Sequence, residues 1–307
     1  MEACRFIREH GTEGPFAMMV GFLGPQGPYD PAPEFLKGFD PDDMPDPIPE
    51  VRGDTPEIRR RNIQGNKGSW NGVDYTEFTL PQKKKIRAHY AALVKQIDHE
   101  VGDILSALRE RGLLENTVII FASDHGDYLG DHNLIGKGQF FESSWHVPML
   151  VHVPWFEGAS TNQELVTLTD VTATMLHFAD VEIPAYMDSC VLPGLGAADE
   201  GHRQQIFGAL NGAWCLYDGE WRLAHYATGE SLLFNMRDDP HEQRNLIDDP
   251  GYVDVRNRLE NALTREVMGS MAEAFFPRRV YVRDLSQTTA FGREGWRRPY
   301  PRSVLDR

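Results

Sequence analysis

Seven apolar residues, Ile86, Tyr90, Leu93, Ile97, Val101, Ile104 and Leu108, recur at three- and four-residue steps, and a short distance on comes an unbroken apolar run, Val118 to Ala122. The first pattern is one stripe of an amphipathic helix and the second a strand buried on both faces. Gly112 stands where a helix cap belongs. A helix that feeds a buried strand is an α/β crossover, so the chain is expected to build a mostly parallel sheet flanked by helices. "PFAMMVGFLGP" reads the same way, predicting a second buried strand from Phe16 to Leu23. Between the two, Tyr29 to Thr76 is rich in Pro and Asp and reads as an ordered surface loop.

The residues just beyond the apolar run carry the chemistry. "FASDHGDYLGDH" sets Asp124 and His125 at the carboxyl end of the predicted strand, where ligands of open α/β sheets bind. A carboxylate and a neutral imidazole on adjacent residues can reach one divalent ion. Lys137, between two glycines about a dozen residues on, can return an ammonium to the same place and complement an anion. Asp127, Asp131 and His132 are further candidates, though loops of this composition mostly supply turn formers and residues that support the ligands from behind.

The stretch from Val118 to Pro154, with its strand, Asp-His-Gly, Gly-Asp-His and Gly-Lys, resembles the sulfatase family of the alkaline-phosphatase-like superfamily. The similarity extends through "PFAMMVGFLGPQGPYDPAPEFL", the long helix, "LVTLTDVTATMLHFADVEIP" and "LYDGEWRLAHYATGESLLFNMRDDPHEQRNL", and so covers most of Phe16 to Leu246. It implies an alkaline-phosphatase-like α/β core with a small C-terminal antiparallel sheet. It also implies hydrolysis of sulfuric esters, with Asp124 and His125 on a divalent metal and Lys137 on the sulfuryl oxygens. Calcium is the ion expected, with manganese and a phosphonate or phosphodiester substrate as the neighbouring alternative. The domains expected are a partial core over 1–197, a C-terminal subdomain over 198–270 and a tail over 271–307.

The sequence departs from the family pattern in four places. Family members form a formylglycine nucleophile from Cys or Ser, with Pro or Ala two residues on and Arg four residues on. No Cys or Ser here meets that pattern: only Ser270 has Ala at the second position, and Ala274 stands where the Arg belongs. The nucleophile is therefore none in this chain. The aspartate pair that completes the family's metal shell also lacks a counterpart, because Asp42-Asp43, Asp238-Asp239 and Asp248-Asp249 lie in turns without a preceding strand. Finally, Gln26 stands where a histidine is usual, and an amide cannot supply a titratable proton. His146 replaces an Arg common before Val-Pro and reads as structural. The chain thus resembles the C-terminal part of a longer sulfatase, inactive alone, with a non-catalytic metal- or anion-binding remnant as the competing reading.

A net charge of -15 excludes a nucleic-acid groove and disfavours anionic membranes, and no apolar stretch is long enough to span a bilayer. Cys4, Cys190 and Cys215 show no paired spacing and read as reduced thiols; with no leader core in the first residues, a cytoplasmic location is the expectation. The partners expected are a small sulfated or phosphorylated substrate, and either a second copy of the chain or a separately supplied N-terminal portion.

Overall fold

The computed structural model describes residues 1–50, 57–65, 74–156, 158–184, 186–195, 202–210 and 212–275. It divides into two compact units, 1–263 and 264–307. The boundary expected at 197/198 and the tail beyond 275 lie outside the described residues.

The first unit opens with α1 (Glu2–His10) and, after the short α2 (Glu57–Gly65), is dominated by the 31-residue α3 (Leu80–Glu110). Its N-terminus is specified locally: Gln82 Oε1 accepts from the Thr79 amide at 2.8 Å, and Pro81 occupies the first turn, where no amide partner is needed. Gly112 ends it as predicted, with φ +68° and the Leu113 amide donating to Leu108 at 2.9 Å. The predicted stripe does face inward, but most of it is half-buried; Ala88, Ala92, Ala107 and Leu108 are the fully buried residues.

After α3 comes β1 (Ile119–Ala122), the predicted apolar run. It pairs with β2 (Met149–His152), which follows α4 (Glu142–Trp145). The pairing is antiparallel, Ile119 opposite His152 and Ala122 opposite Met149, in place of the expected parallel ladder. An apolar run marks a strand but fixes neither the direction of its neighbour nor its burial: β1, expected to be buried on both faces, is only half-buried, and Phe121 is exposed. The predicted strand Phe16 to Leu23 is a second difference: the segment belongs to no regular element and forms no ladder among the described residues. Phe16 and Met18 reach the small core of Cys4, Ile7, Ala107 and Leu108, whereas Met19 is 92% and Leu23 98% exposed. A strand needs a paired edge as well as an apolar pattern.

The α5 helix (Thr169–Phe178) precedes a four-stranded antiparallel meander, β3 (Ile206–Leu210), β4 (Ala213–Tyr217), β5 (Trp221–Tyr226) and β6 (Ser231–Asn235), in spatial order β3-β4-β5-β6. The β4–β5 hairpin turns at Asp218-Gly219 as the sequence indicates, with Asp218 Oδ1 accepting from the Trp221 amide at 2.7 Å. One face of this sheet, through Cys215, Ala224, Tyr226, Leu232 and Phe234, meets Tyr128, Leu134, Phe140 and Phe141 in the main core. The loop after β1 is thereby packed on the C-terminal sheet. The last described element is α6 (Val253–Phe275).

Candidate functional site

Asp124 and His125 follow β1 after a single residue, Ser123, whose hydroxyl donates to the His125 carbonyl at 2.7 Å. The two side chains converge: Asp124 Oδ2 lies 3.4 Å from His125 Nε2, while Oδ1 accepts from the His125 amide at 2.9 Å. His125 Nδ1 lies 2.8 Å from the Gly126 carbonyl, so that nitrogen must carry the proton. In the neutral ring Nε2 is then the lone-pair nitrogen; it is shielded from water and makes no protein hydrogen bond. The local fold thus selects the tautomer that can ligate.

Gly126 is fixed by close approach. A Cβ there would lie 2.0 Å from the Ser143 carbonyl oxygen, and the Gly126 amide donates to Ser144 at 2.9 Å. The loop after β1 and the segment before β2 are therefore in backbone contact at this residue, which no side chain larger than hydrogen permits.

Lys137 sits between Gly136 (φ +75°) and Gly138 (φ +103°), and its ammonium donates to Gln26 Oε1 at 3.2 Å. Lys137 and Gln26 are thus brought together across 111 residues of chain. The clamp that arranges this is Tyr29, which the sequence does not single out. Its hydroxyl donates to Asp127 Oδ2 at 2.9 Å, and the other oxygen of Asp127 accepts from the Leu129 and Gly136 amides, both at 3.0 Å. Asp127 therefore ties the Gln26 loop to the residue preceding Lys137. Burial raises its pKa despite those hydrogen bonds, and burial with the neighbouring Asp127 charge raises that of Tyr29. A lone Tyr in a Pro- and Gly-rich loop carries no sequence signal for such a role.

Asp131 and His132 are placed behind the loop. Asp131 Oδ1 accepts from the Ile48 amide at 2.7 Å and pairs with Arg87, and Oδ2 accepts from Ser143 at 2.6 Å. Its oxygens join three parts of the chain. The His132 ring is fully buried, stacks on Phe141 at 4.2 Å between centroids and lies 3.7 Å from Glu242. Among the described residues no group of three or more His, Cys, Asp or Glu side chains forms a metal-sized cluster. The Asp124–His125 pair fits two positions of a divalent ion's shell, one hard and one borderline, with Nε2 of His125 as the atom left for it.

A buried ion network then braces the loop against the sheet. Arg222 on β5 donates to Glu242 at 2.6 Å and to the Phe140 carbonyl at 3.1 Å, and it pairs with Glu142. Glu242 also accepts from the Glu142 amide at 2.9 Å. Burial opposes ionisation of Glu142, but the His146 hydrogen bond and the Arg222 charge win and hold its carboxyl at about 2. None of these residues is legible as part of the site from sequence.

An α/β core with Asp124 and His125 side by side after a strand, a lysine on a glycine-flanked loop and a small antiparallel sheet packed against that loop is the architecture of an alkaline-phosphatase-like fold. The solved phosphonate monoester hydrolase of Agrobacterium radiobacter superposes with TM-score 0.70 at 24% identity, covering 88% of this chain and 60% of that one. The sulfatase family model matches residues 2–181, more than half of the chain, and the N-sulphoglucosamine sulphohydrolase C-terminal model matches 130–268. The chain belongs to the sulfatase family. Relatives include an arylsulfatase of Clostridium perfringens, 29% identical over 87% of this chain and 56% of that protein. Another is the multifunctional alkaline phosphatase superfamily protein PehA of Trinickia caryophylli, 27% identical over 83% of this chain and 56% of its own length. The chain thus spans little more than half the length of these relatives.

Proposed function

We propose that this chain supplies the metal- and anion-binding part of a sulfuric ester hydrolase site. The observation that carries the reading is the shielded Nε2 of His125, held in its ligating tautomer 3.4 Å from the Asp124 carboxylate. A divalent ion, calcium by resemblance or manganese, would be held by these two residues and would polarise a sulfuryl oxygen. Lys137, steadied by the Gln26 carbonyl oxygen, offers the ammonium that offsets charge on a bound anion. With its oxygen engaged, Gln26 has its amide hydrogens left to donate to an ester oxygen, and it provides no titratable acid. Asp127 and Tyr29 keep the two loops in register.

The sequence lacks the nucleophile segment of the family, so the chain alone is expected to bind without turning over. Calorimetry with calcium and with manganese should show one site, lost in Asp124→Ala and in His125→Ala while Lys137→Ala keeps the metal and loses sulfate. Absence of metal binding in the parent chain would overturn the reading. Turnover of an aryl sulfate by these 307 residues, abolished by Asp124→Ala, would overturn the inactivity but not the site. A phosphonate or phosphodiester substrate is the second reading, implied by the same family resemblance and in keeping with a relative named as a multifunctional alkaline phosphatase superfamily protein; tighter binding of phosphate than of sulfate would favour it.

A further inference from the structure

The glycines on either side of Lys137 have all their polar backbone groups engaged. Gly136 donates its amide to Asp127 Oδ1 at 3.0 Å, and its carbonyl accepts from the Tyr128 amide at 2.9 Å. Gly138 donates its amide to Ser144 Oγ at 3.2 Å, and its carbonyl accepts from the Tyr128 hydroxyl. Glycine is the most mobile residue when unheld, so these bonds are what give the lysine a fixed base. Both hydroxyls at Gly138 are themselves firmly placed: Tyr128 is fully buried with its ring edge-on to Phe141, and Ser144 is buried on α4. Ser144 also holds the other end of the site, because its carbonyl accepts from the Gly126 amide at 2.9 Å. One residue thus takes the amide beside His125 with its backbone and the amide beside Lys137 with its side chain. Tyr128 makes a second link of the same kind, since it follows His125 by three residues and reaches Gly138 with its hydroxyl.

We propose that Ser144 and Tyr128 are positioning residues that set the span between the Asp124–His125 pair and the Lys137 ammonium, so that one tetrahedral anion reaches both the metal ion and the lysine. The inference rests on the reading of the site given above and deepens it. An anion with one oxygen on the ion and another on the ammonium needs the two at a fixed separation. A glycine-flanked lysine that has first to be ordered spends binding energy on the ordering, whereas a lysine held in advance does not. The two ends can also be separated chemically. Removing either hydroxyl leaves the backbone bond between Gly126 and Ser144 in place, so the metal pair keeps its support while the lysine loses an anchor. A purely structural role would weaken both ends alike.

The test measures two affinities of the 307-residue chain by calorimetry: calcium alone, and inorganic sulfate on the calcium-loaded chain. Ser144→Ala and Tyr128→Phe should each weaken sulfate binding about three- to tenfold, the loss of one hydrogen bond, and leave calcium affinity within about twofold of the parent. In the metal-free chain the Gly138 amide should exchange faster in Ser144→Ala, while the Gly126 amide exchanges as in the parent. Thr174→Ala is the matched control. This fully buried hydroxyl on α5 accepts from the Leu192 amide at 2.9 Å, and its loss should lower stability without changing either affinity. Sulfate affinity equal to the parent's in either variant would overturn the proposal and leave the reading of the site standing. So would equal losses for calcium and sulfate, which would make the two hydroxyls ordinary structural bonds. A parent chain that binds no calcium, or calcium but no sulfate, would overturn the reading of the site and this proposal with it.

Discussion

Around Phe141 the ring meets His132, Tyr128 and Phe234, and charged groups close the space behind it; around Met19 an apolar side chain of similar reach stands almost wholly in solvent. Both regions are built from apolar-rich sequence. They differ in whether the chain supplies the other side. Around Phe141 the C-terminal meander provides Ala224, Tyr226, Leu232 and Phe234, and Arg222 and Glu242 pair with each other at the margin. Around Met19 nothing among the described residues closes the face. The loop carrying Lys137 therefore rests on a finished core, while the segment carrying Gln26 continues from an open one.

The contrast breaks most sharply at Arg222. Removing its guanidinium with Arg222→Ala leaves Glu242 buried without its cation, and the expected loss is about 3–5 kcal/mol in chemical denaturation. Leu23→Arg on the open face should change stability by no more than about 0.5 kcal/mol. Comparable losses at both sites would mean that this face is closed in solution.

Gly126→Ala sharpens the comparison within the closed region. A methyl 2.0 Å from the Ser143 carbonyl oxygen must push the two backbones apart, at an expected cost of about 1–3 kcal/mol. Because that displacement starts beside His125, metal affinity should fall along with stability. A variant that loses stability but binds calcium as the parent does would show that the Asp124–His125 pair does not depend on this contact.

Legibility in the sequence divides along the same line. The long helix, its Gly112 cap, the strand Ile119–Ala122 and the Asp218-Gly219 hairpin are legible because each rests on local periodicity or turn chemistry. The spacing of Asp124, His125 and Lys137 is a signal the sequence carries; the structure sets Asp124 against His125 and Lys137 against Gln26, and the roles built on those contacts are the ones proposed above. Phe16–Leu23 reads as a paired strand and is not one, because an apolar run favours burial and leaves open who does the burying. Tyr29, Arg87, Arg222 and Glu242 carry no signal. Each acts through a partner at least 20 residues away, and nothing local in the sequence encodes such a pairing.

The smallest effect lies at the rim of the closed region, where His146 meets Glu142 at 2.6 Å. The hydrogen bond to Glu142 raises the His146 pKa above its ordinary 6.5, so its contribution to stability is complete below that value and is lost as pH rises through the higher folded value. Glu142 runs the other way: held at about 2 in the folded chain against an ordinary 4.5, it contributes above 4.5 and loses that contribution as pH falls toward 2. The two overlap between about pH 4.5 and 6.5. Comparing the parent with His146→Gln, the stability difference should be largest near pH ~5.5 and shrink by pH ~8.5, staying under about 1 kcal/mol because the imidazole is largely exposed. Titration of the His146 ring by NMR checks the direction independently. A midpoint below 6.5 would mean that burial and, after it, repulsion by Arg222 outweigh the Glu142 contact, and the brace would then end at Glu142 rather than at His146.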